Sequence, residues 1–405
     1  MPTLLQISVE GNRGSTGTIA EDIGILIQNE GWESYIAHGR FSRPSKSKLI
    51  HIETWFGVLL HVLQTRLFDR HCLGSVSATK NLIKRIVEIN PDIIHLHHIH
   101  GYYINMVILF NFLKEAEIPV VWTFHDCWSF TGHCAYFDYI NCNKWKTECN
   151  HCPQKNEYPK SVFWDRSKKN FYLKKKLFLS LKNMIIVPVS NWLDGLIKES
   201  FLSEKQTRMI HNGIDLNIFQ PIDKMNFRKK YFLENQFIIL GVASPWVKRK
   251  GLKDFIELSK ILEENQKIVL VGLEKNQIRH LPENIIGLER TESREQLAEL
   301  YSTSDVFINP TWEDNYPTTN MESTACGTPV ITYKTGGSTE SVFDSTGFVA
   351  EKGDICEIKR IIDKVQKEGK HKYVLPCREA ALQYFDKLKK YADYINLYKE
   401  LISKV

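Results

Sequence analysis

Long apolar runs are missing from this chain. No stretch approaches the ~20 residues needed to cross a bilayer, which excludes a helical membrane span. A secretion signal is missing as well. The first ten residues, MPTLLQISVE, are apolar but too short for a signal core, and no basic segment precedes them. They read as a first buried strand, and the expectation is a cytoplasmic protein. Cysteine offers no disulfide framework, since the nine residues are odd in number and no signal accompanies them. Glycine and proline are few, 22 and 14 of 405, so nothing points to a fibrous or disordered chain. Internal repeats and low-complexity segments are absent. Neither sign of charge dominates. A net charge of +6 is too small to argue for nucleic acid, but it suits an enzyme that handles phosphates or sits near anionic lipid.

What is present is an alternation. Short apolar runs are expected as strands at Leu4–Val9, Ile93–Leu96, Val120–Phe124, Ile185–Val189, Phe237–Val242, Ile268–Val271, Val306–Asn309 and Val330–Thr332. Several are apolar at successive positions, as strands covered on both faces must be. Amphipathic segments separate them, among them Ile19–Glu30, Leu82–Ile89, Leu252–Leu262, Arg294–Thr303 and Ile355–Glu368. Strand, helix, strand repeated in this way predicts parallel sheets with right-handed crossovers. A length of 405 residues suits two domains, and the turn-forming run His211-Asn212-Gly213-Ile214-Asp215 with Pro221 marks the boundary.

Ligands of open parallel sheets bind beyond the carboxyl ends of the strands. After Val9 comes the run from Gly11 through Gly14 to Gly17. After Leu96 come His97, His98 and His100, and after Phe124 come His125 and Asp126. After Val242 a segment with three basic residues runs to Gly251. After Asn309 the chain runs from Pro310 to Glu322, and after Thr332 come Gly336 and Gly337.

The segment Glu313-Asp314-Asn315-Tyr316-Pro317 opens a short helix that carries Glu322. A helix start offers free N–H groups to an anion, and one carboxylate can accept from two neighbouring hydroxyls, as a ribose presents them. Alone, the pattern is an ordinary first turn with an acid near the positive end of the helix. Lys248-Arg249-Lys250-Gly251 precedes another helix, and ammonium and guanidinium groups there suit a diphosphate. A single basic run is more often merely solvated.

Taken together, the sequence resembles the retaining glycosyltransferases of family 4, which have the GT-B fold. The resemblance rests on Gly14-Ser15-Thr16-Gly17, His125-Asp126, Val189-Ser190, Asn212-Gly213-Ile214-Asp215, Arg249-Lys250-Gly251, segment 313–322, Ala325-Cys326-Gly327-Thr328-Pro329-Val330 and Gly336-Gly337. These occur in family order over most of the chain. The expected architecture is α/β, with two Rossmann-like domains whose parallel sheets face each other across a cleft. The expected division is an acceptor domain over 1–212 with a Cys-rich insertion at 127–153, a nucleotide-sugar domain over 213–385, and a C-terminal helix over 386–405 packing back on the first domain.

The implied reaction moves a hexose-type sugar from a UDP- or GDP-sugar to a glycan or lipid-linked oligosaccharide, with retention, in cell-surface polysaccharide synthesis. The family spaces an acid, seven residues and a Glu, and Asp314 with Glu322 fits. Asp stands where the family has Glu, which shortens its reach. The resemblance implies that Asp314, with Asn315 and Tyr316, holds the donor sugar and that Glu322 holds the ribose. It implies that Arg249, Lys250 and Lys248 meet the charge of the leaving diphosphate. The family's Arg five residues before the Lys is Pro245 here, so Arg249 or Lys248 must supply that charge. His125 is implied to bond a sugar hydroxyl, although one His after a strand can equally be a satisfied structural side chain. Gly14 and Gly17 would admit donor phosphate or acceptor close to the backbone, or simply make a strand-to-helix turn. No metal is expected in catalysis, since the second half has no DxD-type ligand pair.

Cys134, Cys142, Cys149 and Cys152 lie close in sequence, and Cys149-x-x-Cys152 has zinc-knuckle spacing. They are either the ligands of a structural zinc ion or reduced thiols in an aromatic loop. Segment 163–177 carries Arg166, Lys168, Lys169, Lys174, Lys175 and Lys176 among Phe171, Tyr172 and Leu173. It reads as a basic helix able to rest on the inner face of an anionic membrane, or as an ordinary solvated helix. Competing functions are an epimerase or hydrolase of the same fold and a non-catalytic nucleotide-sugar binder. A dinucleotide oxidoreductase is disfavoured because Gly11, Gly14 and Gly17 do not give G-x-G-x-x-G.

Overall fold

Two six-stranded parallel sheets organise the chain. The computed structural model describes residues 1–223 and 226–404. These form two compact units, Met1–His211 with the segment from Lys390 on, and Asn212–Lys389.

The first unit runs β1 (Thr3–Ser8), α1 (Gly14–Asn29), β2 (Glu33–His38), β3 (Lys48–His51), α2 (Trp55–Phe68), α3 (Val76–Ile89), β4 (Ile93–Leu96), α4 (Met106–Ala116), β5 (Val120–Phe124), α5 (Ser167–Ser180), β6 (Met184–Pro188) and α6 (Asn191–Glu199). Its sheet order is β3-β2-β1-β4-β5-β6. β1, β4, β5 and β6 are buried at every position, because helices cover both faces of the sheet. Asn105 fixes the start of α4 by accepting from Val107 N and Ile108 N at 3.1 Å, and Ser190 caps α6 through Leu193 N.

The second unit runs α7 (Asn226–Lys230), β7 (Phe237–Val242), α8 (Leu252–Ser259), β8 (Gln266–Val271), α9 (Lys275–Ile278), β9 (Ile285–Leu288), α10 (Arg294–Thr303), β10 (Val306–Asn309), α11 (Thr318–Ala325), β11 (Val330–Tyr333), β12 (Gly347–Ala350), α12 (Ile355–Glu368) and α13 (His371–Tyr384). Its sheet order is β12-β11-β10-β7-β8-β9. Renumbered from its own first strand, that is the order of the first sheet. Each sheet therefore has a topological switch point at its centre, between β1 and β4 and between β7 and β10, where a crevice opens at the carboxyl ends.

A last helix, α14 (Lys387–Ile402), leaves the second unit and covers the first. Tyr391, Tyr394, Ile395 and Tyr398 pack with Leu4, Ile23 and Val121. Tyr394 Oη lies 2.9 Å from Thr123 Oγ1, and Tyr398 Oη lies 2.6 Å from His95 Nδ1.

The eight expected strands are all present, with small shifts in their ends. Four more exist, β2, β3, β9 and β12, three of them at sheet edges. The helices expected to start at Ile19 and Leu82 begin at Gly14 and Val76, and the one expected to reach Leu262 stops at Ser259. In segment 163–177 Lys168, Lys169, Lys175 and Lys176 are exposed as expected, but Lys174 is not. Its helix is α5, and Phe171, Lys174 and Leu177 point into the core. Lys174 Nζ donates to Trp128 O at 2.6 Å and Thr131 O at 3.0 Å and sits 3.4 Å from the centre of the Trp128 ring. Burial pushes this amine down to about 7.

Candidate active site

The second unit gathers its charged groups at the switch point. β7 ends at Val242, and the chain then forms a single turn over Lys248–Lys250 and enters α8 through Gly251. Gly251 has φ +78°, and a Cβ there would lie 2.2 Å from the carbonyl oxygen of Pro310. Only glycine brings this loop so close to the one after β10. The two loops are then tied together. Trp312 N donates to Arg249 O at 2.7 Å, and Arg249 Nη1 donates to Glu313 O at 2.8 Å. Lys250 Nζ donates to Asp314 Oδ2.

Asp314 is held on three sides. Its Oδ1 accepts from Asn315 N at 2.9 Å, and its carbonyl accepts from Gly337 N at 3.1 Å. Gly336 has φ +51°, and a Cβ there would meet Asp314 O at 2.0 Å. Burial alone would raise the Asp314 carboxyl, but Lys250 and Arg249 beside it outweigh that and hold it below the usual carboxylate range. Burial lowers Lys250, with Asp314 opposing. The pair is therefore ionised near neutrality, with about a fifth of each side chain open to solvent. Lys248 is exposed, while Asn315 and Tyr316 are buried beside Asp314.

Glu322 sits in α11, the helix that follows this loop. Asn320 anchors the helix, accepting from Asn309 Nδ2 at 2.9 Å and donating to Ser341 Oγ at 3.0 Å. Tyr301 Oη donates to Glu322 Oε2 at 3.2 Å. Burial pushes the Glu322 carboxyl up to about 7, against the opposing pull of Arg294 and the hydroxyls of Tyr301 and Thr318. A carboxyl desolvated in this way gains from any hydroxyl donor that reaches it. Tyr301 and Arg294 carry no sequence signal, since only the folded packing brings them to Glu322.

The first unit gathers histidines at its own switch point. His125, at the end of β5, places Nε2 3.3 Å from Nδ1 of His97, and His97 Nε2 lies 3.0 Å from Gln6 Oε1. Burial, then the neighbouring His98 and His97, keeps the His125 imidazole neutral well below its ordinary range. Asp126 takes the other side, with Oδ2 at 3.3 Å from His98 Nε2 and 3.0 Å from His100 Nε2, and Oδ1 accepting from Trp128 N at 2.9 Å. His98, His100 and Asp126 are the one group of three metal-type ligands within 4.8 Å of one another among the described residues. Gln6 could not be anticipated, because its meeting with His97 depends on strand register.

Gly14 begins α1 with φ +65°, and a Cβ on Gly17 would lie 2.7 Å from Glu10 O. The closeness at Gly17 is thus to the preceding turn. Cys134, Cys142, Cys149 and Cys152 are free thiols lining one small cavity with Phe137 and Trp145. Their sulfurs are not drawn together as tightly as the His98 group.

Residues 18–218 match the family described as Glycosyltransferase Family 4, and residues 223–381 match Glycosyl transferases group 1. A protein of Escherichia coli K12 provisionally named colanic acid biosynthesis glycosyl transferase WcaC is 24% identical over 388 residues, 88% of this chain and 89% of that protein. The capsular polysaccharide biosynthesis glycosyltransferase CapM of Staphylococcus aureus is 25% identical over 214 residues, 48% of this chain and 54% of that protein. Among solved structures, sucrose-phosphate synthase of Thermosynechococcus elongatus superposes with a TM-score of 0.76 at 16% identity, covering 100% of both chains. Anabaena HepE in complex with UDP-glucose gives 0.67 at 15% identity, again covering 100% of both.

Proposed function

This chain belongs to the family 4 glycosyltransferases, enzymes of GT-B fold, and from that premise we propose that it transfers a hexose-type sugar from a nucleotide diphosphate sugar, with retention, to a glycan or lipid-linked oligosaccharide. Several of its relatives are named for colanic acid, capsular polysaccharide or O-antigen biosynthesis. The observation that carries the reading is the joining of Arg249, Lys250 and Asp314 between the loops after β7 and β10, with Glu322 on the helix that follows.

In this reading the donor ribose donates hydroxyls to Glu322, and Asp314 with Asn315 and Tyr316 holds the transferred sugar. One structural neighbour, Anabaena HepE, carries UDP or UDP-glucose, and on that likeness uridine diphosphate is preferred over guanosine diphosphate in the donor. Arg249 and Lys250, with Lys248 at the rim, meet the charge that builds on the departing diphosphate. The acceptor oxygen bonds to the anomeric carbon on the face the diphosphate leaves, and its proton passes to a diphosphate oxygen. No catalytic step in this scheme draws on a metal. Cys134, Cys142, Cys149 and Cys152 are taken as ligands of a structural zinc ion. A lipid-linked acceptor would bring the enzyme to a membrane as a peripheral protein.

A thermal-shift series against UDP-, GDP- and ADP-sugars tests the donor. UDP-sugars are expected to raise the melting temperature, and Glu322→Ala to abolish the rise. An unchanged rise in the variant removes Glu322 from the site. Proton NMR of the product tests retention, and an inverted anomer ends that part of the reading.

A further inference from the structure

Helix α2 is inverted relative to an ordinary surface helix. Three of its side chains turn inward, Val58, His61 and Thr65, and two of these are polar. They are satisfied there, with His61 Nδ1 2.9 Å from Ser75 Oγ and Thr65 Oγ1 donating to His61 O at 2.9 Å. Most of the outward side chains are apolar, Gln64 and Arg66 being the exceptions. Trp55 is 68% exposed, Phe56 67%, Leu59 54%, Leu60 43% and Leu63 51%. Their spacing puts all five on one face, where folding of the first unit leaves much of their apolar surface in solvent.

The patch extends past both ends of the helix. Exposed Phe41 lies 6.4 Å from Trp55, ring to ring. At the other end Val162 N donates to Arg66 O at 2.7 Å and lays exposed Val162, Phe163 and Trp164 alongside. There a cavity of about 610 Å³ opens, lined by Phe68, Val76 and Trp164 together with Arg70 and Arg166.

The exposed charge beside this face is mainly basic. α2 contains no Asp or Glu, while Arg66 and Arg70 stand exposed on and beside it. The nearby carboxylates are already occupied. Asp69 bonds His133 Nδ1 and Arg166 N at 2.7 Å, and Asp165 accepts from Ser167 N and Cys152 N. The Nε of Arg166 is buried without a hydrogen-bond partner.

We propose that this face, α2 with the 162–164 strip, docks on a bilayer: its apolar side chains enter the boundary between headgroups and acyl chains, and Arg66, Arg70 and Arg166 take lipid phosphates. The inference rests on the peripheral-membrane part of the reading above and names the surface that performs it. It moves the contact from the lysines of α5 to α2.

Vesicle flotation tests it without donor or acceptor. The full-length protein is expected to float with phosphatidylcholine vesicles containing phosphatidylglycerol and far less with phosphatidylcholine alone. Leu59→Glu combined with Leu63→Glu should abolish flotation while leaving the chain folded and the donor shift unchanged, since each side chain is about half exposed and neither is among the inward residues of α2. Arg70→Ser should weaken binding to anionic vesicles about fivefold, the contribution of one basic side chain. If the wild type does not float, the membrane reading and this inference both fail. If it floats and the Leu59/Leu63 variant floats equally, only the inference fails. A concentration-dependent dimer that the same variant dissolves would assign the face to a second copy of the chain and overturn the proposal.

Discussion

The ammonium of Lys250 is bonded to the carboxylate of Asp314 across the two loops that follow β7 and β10. Removing one partner leaves the other charged and largely buried. Lys250→Met is therefore expected to cost about 2 kcal/mol of stability, less than a fully enclosed pair because about a fifth of each side chain is solvated. It should also abolish transfer. Asp314→Asn keeps the hydrogen-bond geometry and should cost less stability. Urea denaturation alongside turnover assays checks both. A Lys250→Met protein of wild-type stability would mean that the pair is not closed in solution.

Glu322 should make donor affinity depend on pH. Its carboxyl titrates near 7 in the fold against an ordinary value of 4.5, so the folded state holds the extra proton between those values. Its contribution to stability is therefore present below 4.5 and declines as pH rises to about 7. Ribose hydroxyls need the ionised form as acceptor. UDP affinity should accordingly rise with pH through about 7, and Glu322→Gln should flatten the profile. Calorimetric titration of both proteins compares the slopes. Parallel profiles would separate Glu322 from the ribose.

Acid should loosen the first unit. His95, His97 and His125 are held neutral by burial, with pKa values well below the ordinary 6.5. Below 6.5 the unfolded chain takes up protons that the folded histidines refuse, so stability falls as pH falls from there. Melting curves recorded down to about pH 5 should shift steadily lower, and His95→Gln should reduce the dependence. Two groups slope the other way, Glu322 and His133, which Asp69 raises against its burial; they are outweighed by these three together with His61, His71 and His100, which burial likewise lowers. A flat melting profile would refute the burial of these rings.

The cysteine loop should carry metal. Elemental analysis of protein purified without chelator is expected to give about one zinc per chain. Cys152→Ser should remove it and lower the melting temperature by several degrees. Protein that is folded and free of zinc rules the site out, leaving four reduced thiols around a small cavity.

The centre of each sheet was legible in the sequence, because strands covered on both faces must be apolar throughout. Phe237–Val242 announces itself in this way, and Ile93–Leu96 does so at every position but His95. β3 did not, since an edge strand reading Lys48-Leu49-Ile50-His51 is half solvated and has no such run. α2 escaped for a related reason: its apolar positions do not mark a buried face, so periodicity there points away from the core. The loops at 248–250 and 313–322 were readable because charge and glycine at strand ends are unusual without a ligand. Which groups meet them was not. Tyr301 reaches Glu322 and Gln6 reaches His97 only through strand order and register, which no local pattern encodes.

The path of α14 has a consequence for how the molecule can be cut. Covalent order runs first unit, second unit, first unit, so the second unit is an insertion with two splice points. A fragment ending at His211 would bare the apolar surface around Leu4 and Ile23 and strip His95 and Thr123 of their tyrosine hydroxyls. Chimeras with relatives must therefore graft residues 212–389 as one cassette, with the tail left in its parent.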